Sequence, residues 1–194
     1  YPTPTTIDVF YTNAEGSLVT PEKLPFGKGY SIVEVQAPYG YVLDETPVYF
    51  DVTEDNSTEE SGVTVVKVDK PNMAQKGTIT VEKTGEVFFG VSVIGGVDES
   101  GNELPAIYQP QYEKRGLPGA VYEIIAAEDI ITPDGTVRNQ KGNVVDTVTT
   151  DESGTAVSRE LYLGKYEVRE ITAPHGMVLN PEPHCVELVY AGQN

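Results

Sequence analysis

The chain has one cysteine, no tryptophan, two histidines and two methionines among 194 residues, and only 13 lysines and arginines against 30 acidic residues. Each scarcity excludes something. A single thiol, Cys185, makes no internal disulfide, so any covalent reinforcement must come from other chemistry. Its apolar-alternating surroundings read as those of a small core filler. A formal charge of −17 excludes nucleic acid as a partner, because phosphate binding needs clustered cations. The same charge is repelled by anionic membrane surfaces. His175 and His184 stand in no metal-ligand spacing. The acidic stretches Asp98–Asn102 and Asp151–Gly154 read as turns rather than calcium loops. No phosphate-cradling glycine loop, nucleophilic triad or cysteine–histidine set is present. No run approaches the ~20 apolar residues of a membrane span. These readings predict no enzyme, no cofactor and no metal. The chain opens at Tyr1 without a signal peptide and reads as a piece of something longer.

What is present is β-forming material. Valine, threonine, isoleucine and tyrosine recur in short alternating runs, punctuated by 19 glycines and 14 prolines. Such spacing predicts an all-β fold of sandwich type. Strands are expected at 6–12, 29–35, 48–52, 62–69, 78–84, 120–126, 144–150, 165–171 and 185–190. Residues 86–115 interrupt this order. They begin apolar and become turn-rich, which predicts a long hairpin or loop at one edge.

The chain also repeats itself. Tyr30-Ser31-Ile32-Val33-Glu34-Val35-Gln36-Ala37-Pro38-Tyr39-Gly40 returns as Tyr166-Glu167-Val168-Arg169-Glu170-Ile171-Thr172-Ala173-Pro174-His175-Gly176, at a constant offset of 136. Two tandem modules follow, at 1–74 and 75–194, joined by a short polar stretch from Lys70 to Gln75. Strand alternation puts Tyr30, Ile32 and Glu34 on one face, and Tyr166, Val168 and Glu170 on its counterpart. Ile79, Val81 and Lys83 likewise share a face. Three ionisable groups therefore point where the core should be. Buried charges must pair or neutralise.

These motifs resemble those of Gram-positive pilins and of the B-type repeats of collagen adhesins. Tyr30-x-x-x-Glu34-x-x-Ala37-Pro38-x-Gly40-Tyr41 is similar to the glutamate box of that family. Gly77–Lys83 resembles its first strand, which ends in a reactive lysine, and Gly116–Ile124 its second. The resemblance implies prealbumin-like sandwiches in an extracellular, wall-anchored surface protein that acts as a stalk or shaft. It also implies intramolecular isopeptide bonds between a first-strand lysine and a last-strand asparagine or aspartate, assisted by the box glutamate. Burial would depress the lysine pKa and raise that of the glutamate, leaving a neutral nucleophile beside a proton donor.

On this reading Lys83 is the nucleophile and Glu170 the proton shuttle of the second module. Glu34 is the shuttle and Asp69 the acceptor of the first. Each module lacks a part. The Asp69 spacing, counted from Glu170, runs past Asn194, and the Lys83 spacing, counted back from Glu34, runs ahead of Tyr1. Both modules are therefore expected to be truncated and neither is expected to form its bond within these residues, Asn194 being the disfavoured alternative as a substitute acceptor. The expected partners are neighbouring modules of the same surface protein. The alternative is an adhesin module that contacts a host protein or glycan through 86–115 or an exposed sheet, which a clustered exposed patch of Phe88, Phe89, Tyr108 and Tyr112 would favour.

Overall fold

The structure is a computed structural model that describes residues 5–54, 58–60 and 63–193. The described residues contain strands and no helix. They divide into two units. One comprises 1–36 with 43–72, and the other 37–42 with 73–194. The contiguous division at 74/75 is thus corrected. Residues 37–42, inside the first copy of the repeat, belong to the second unit. The stretch from Lys70 to Gln75 is not a free linker. Met73 O accepts from Val42 N at 2.8 Å, and Gln75 N donates to Gly40 O at 2.8 Å, both within the second unit.

The first unit holds β1 (Gly27–Ile32), β2 (Val48–Val52), β3 (Thr58–Glu60) and β4 (Val63–Val65). β1 pairs antiparallel with β2, placing Tyr30 opposite Phe50, with their rings stacked at 5.6 Å. β3 pairs with β4. Two expectations need correction. Residues 6–12 form no strand, and the strand expected from Gly62, itself outside the described residues, covers only Val63–Val65 among those described.

The second unit holds β5 (Lys76–Gly77), β6 (Thr80–Glu82), β7 (Thr84–Ile94), β8 (Ile107–Gly116), β9 (Val121–Ala126), β10 (Ile130–Ile131), β11 (Val137–Asn139), β12 (Val144–Thr149), β13 (Thr155–Val157), β14 (Leu161–Tyr162), β15 (Gly164–Thr172) and β16 (His184–Leu188). Four strands make one sheet in the order β12-β9-β15-β16, and the short pairs β13-β6 and β14-β5 lie apart from it. Alternation sends Tyr122, Ile124 and Ala126 of β9 and Tyr166, Val168 and Glu170 of β15 to the inner face. The apolar ones among them meet Ile79, from the link between β5 and β6, and Ala156 and Leu161, from the short pairs, in one cluster. Each large side chain buried this way contributes about 1.5–3 kcal/mol. Tyr166 is fully buried, and its hydroxyl donates to Tyr162 O at 2.6 Å, which satisfies the one polar atom it takes inside. Cys185 lies outside this core, correcting the core-filler reading. It is exposed on the edge strand β16, opposite the outward Glu167, while Val186 faces Tyr166.

Candidate functional site

Lys83 lies between β6 and β7, and both its backbone groups are fixed. Its N–H donates to Gly154 O at 2.8 Å, and its carbonyl accepts from Leu117 N at 2.9 Å. The close approach explains two glycines. A Cβ at Gly154 would stand 2.4 Å from Lys83 O, and one at Gly116 would stand 1.8 Å from Ser153 O. The lysine stem follows the inward face of Ile79 and Val81 and brings Nζ to 2.7 Å from Glu170 Oε1, with side-chain exposures of 20% and 2%. Two further groups hold the carboxylate. The Asn180 amide donates to Oε2 at 2.8 Å, and the Tyr122 hydroxyl donates to Oε1 at 3.4 Å. A half-open recess of about 210 Å³ lies over the pair, rimmed by Glu82, Thr84, Glu182 and His184.

The protonation states differ from expectation. Burial pulls the Glu170 carboxyl upward, but the Lys83 ammonium, the Asn180 amide and the Tyr122 hydroxyl together outweigh it, and the net shift is downward. The hydrogen bond to Glu170 raises Lys83, against a smaller opposing effect of burial. Burial, followed by the Glu170 charge, raises Tyr122. The resting site is therefore an ion pair rather than a neutral amine beside a protonated acid, because contact at 2.7 Å outweighs desolvation.

In the first unit Glu34 is half-buried two residues beyond the end of β1. The Asp44 amide donates to its Oε2 at 3.1 Å, the counterpart of the Asn180 bond one repeat later. The Asn72 carboxamide donates to both of its oxygens, at 2.7 and 2.8 Å. Asp69 is exposed and is not brought to Glu34, so the acceptor type found beside the first box glutamate is Asn72. The neighbouring ammonium, Lys70, bonds Asp44 Oδ2 at 2.6 Å and Thr46 O at 2.8 Å instead. The Lys70 hydrogen bond is the main cause that holds the Asp44 carboxyl well below the usual range. Asn194 lies outside the described residues. Among those described, no cluster of histidine, cysteine, aspartate or glutamate could hold a metal ion.

The Ala-Pro-x-Gly segments share one turn. Tyr41 N donates to Pro38 O at 3.1 Å, and Met177 N donates to Pro174 O at 3.0 Å. Gly40 and Gly176 have φ of 81° and 78°, which the third position of a type II turn requires. Tyr122, Asn180 and Asn72 were not picked out from the sequence. The inward parity of Ala120, Tyr122 and Ile124 marks the first. The repeat offset, carried from Asp44, marks the second. Asn72 follows a proline, beyond any alternation, and carries no such signal.

The SpaA prealbumin-like fold domain family matches residues 3–67 and 109–194. The chain belongs to this family. The match takes in Glu34, Tyr122 and Glu170 but neither Lys83 nor Asn72. Among solved structures the chain is similar to the TIE protein of Bacillus anthracis, at 28% identity and a TM-score of 0.50, over 94% of this chain and 26% of that one. It thus spans about a quarter of that protein's solved length. The T6 backbone pilin of Streptococcus pyogenes aligns at 20% identity and a TM-score of 0.29, over 45% of this chain and 20% of the other. BcpA, the major pilin subunit of Bacillus cereus, aligns at 14% and 0.26, over 91% and 89%. No curated protein matches. The fold is all-β and prealbumin-like, in two tandem modules. No helix of the described residues is long and apolar enough to cross a membrane.

Proposed function

We propose that the chain is a stalk or shaft segment of an extracellular, wall-anchored bacterial surface protein, a pilin or adhesin of the class reinforced by lysine–asparagine or lysine–aspartate isopeptide bonds. The observation that carries this reading is the Lys83–Glu170 contact at 2.7 Å, set on the inner face of the second sandwich. Lys83 passes a proton to Glu170, and the neutral amine adds to the side-chain carbonyl carbon of an asparagine or aspartate brought over the recess. A C–N bond forms. The carboxamide C–N bond breaks to release ammonia, or the carboxyl C–O bond breaks to release water, with Glu170 returning the proton. Held groups replace a catalyst by effective concentration. The step acts once on the protein itself and is not turnover. The test is peptide mapping of the natural full-length protein. A peptide pair joined through Lys83, lighter by one ammonia or one water and absent from Lys83→Ala, is expected. A free Lys83 side chain in that protein would sink the crosslink.

A second reading has its own observation. Phe88, Phe89, Tyr108 and Tyr112 are all at least half exposed, as a contact surface for a host protein or glycan requires. Replacing 86–113 by a tight turn should abolish adherence to host matrix while leaving the Lys83–Glu170 pair intact. Unchanged adherence would remove this reading.

A further inference from the structure

β7 and β8 form a two-stranded ribbon that, among the described residues, pairs with no other strand. The family match leaves out 68–108, which includes all of β7 and the ribbon tip, whereas most of β8 lies inside it. Its register runs Phe88↔Tyr112, Gly90↔Gln111, Val91↔Pro110, Ser92↔Gln109, Val93↔Tyr108, with a bulge between Phe88 and Gly90. Residues directly opposite share a face. One face therefore carries Phe88, Val91, Val93, Tyr108, Pro110 and Tyr112. The other carries Ser92, Gln109 and Gln111 in its middle, with Ser92 and Gln111 joined by a 3.0 Å hydrogen bond, and the Ile94–Ile107 pair towards the tip. Without the bulge, alternation would put Phe88 on this second face.

The two outer edges differ. β8 carries Pro110, Lys114 and Arg115, the residues by which proteins protect an edge. β7 has no proline, lysine or arginine, and its one charge is Glu86. Beyond the bulge, Gly90-Val91-Ser92-Val93-Ile94 is uncharged, and its centre, Val91-Ser92-Val93, is symmetric about Ser92. We infer that this edge of β7 is an assembly edge, on which β7 of a second copy of this chain adds antiparallel. Pairing about a two-fold axis at Ser92 sets Val91 against the second copy's Val93, and Val93 against its Val91, in two β-branched cross-strand pairs. Two copies of charge −17 repel each other except where an approach brings no charges together, and this run is such a place. A two-stranded ribbon is marginal alone, whereas four strands with one apolar face are not. The protected β8 edges stop the sheet at four, so the product is a closed dimer.

The test uses the whole chain. Sedimentation should show a monomer–dimer equilibrium that strengthens with salt, because screening weakens the mutual repulsion. Amide exchange at low and high protein concentration should show protection gained in Gly90–Ile94 and none in Ile107–Gly116. Val91→Lys/Val93→Lys puts like charges opposite one another and should weaken the dimer at least about tenfold. Val91→Glu/Val93→Glu should do the same, and mixing the two variants should restore association, which misfolded variants would not do. A monomer up to about 1 mM, protection gained on β8, assembly beyond a dimer, or a mixture that stays apart would each overturn the inference. None of these outcomes touches the Lys83 chemistry.

Discussion

Glu34 and Glu170 occupy the same place in the same motif, and each accepts an amide hydrogen from the residue ten positions on. Their settings differ in two ways. Glu170 is 4% exposed on a sheet whose inner face is part of a cluster of a dozen buried residues. Glu34 is half-buried just beyond β1, which among the described residues pairs only with β2, and the first unit's described side chains include none that is buried. The second partner also differs, an ammonium for Glu170 and a carboxamide for Glu34. A repeated motif thus carries its local hydrogen bonds with it, whereas burial and charge state depend on what the rest of each unit packs against it.

The sharpest way to break this comparison is to remove the tyrosine of each copy. Tyr166→Ala should cost the second unit about 3–5 kcal/mol, and Tyr30→Ala the first about 1 kcal/mol, read by urea titration with unit-resolved amide exchange. Equal costs would show that the first unit has a comparable core. Next in size, Lys83→Met leaves Glu170 buried without its counter-ion and should cost about 3 kcal/mol, with the Glu170 pKa moving above its ordinary 4.5. An unmoved titration by carbon-detected NMR would mean that the carboxylate is solvated after all.

Acidity gives a smaller effect with a definite sign. Glu170 is lowered on folding, so its contribution is complete above its ordinary value of 4.5 and is lost as pH falls through the folded value. Lys83 is raised, so its contribution is complete below 10.5 and is lost as pH rises past it. The second unit should therefore weaken at both extremes, and Glu170→Gln should flatten the acid limb. A wild-type acid limb retained in that variant would assign it to other carboxylates. The smallest change is expected from Asn72→Ala, about 1 kcal/mol in the first unit, seen as faster exchange of the Asp44 amide. Slower or unchanged exchange there would separate Asn72 from the Glu34 site.

Much of this was legible in the sequence because identity at a fixed offset needs no packing to be seen. Alternation along Tyr166, Val168 and Glu170 pointed the glutamate inward, and the apolar start of 86–115 announced the ribbon. Where a stretch lacked a clear parity, the reading failed. Val63 to Val68 carries valines on both faces, so nothing marked Asp69 as outward or Asn72 as the residue that meets Glu34. Cys185 was assigned the parity of Val186, its inward neighbour. Protonation could not be read from burial alone, since the sign follows from the distance between two side chains far apart in sequence. The bulge that turns Phe88 onto the apolar face leaves no mark in composition.

The turn Ala37-Pro38-Tyr39-Gly40 is sequence of the first copy but substance of the second unit. Ala37 is buried there and accepts from the Gln193 side chain, and a Cβ on Gly40 would collide with Pro133 at 2.7 Å. No single cleavage of the backbone can therefore part the two units cleanly. Scission after Asn72 would leave the second unit missing six of its own residues, and any attempt to express it from Met73 onward would begin with an open seam.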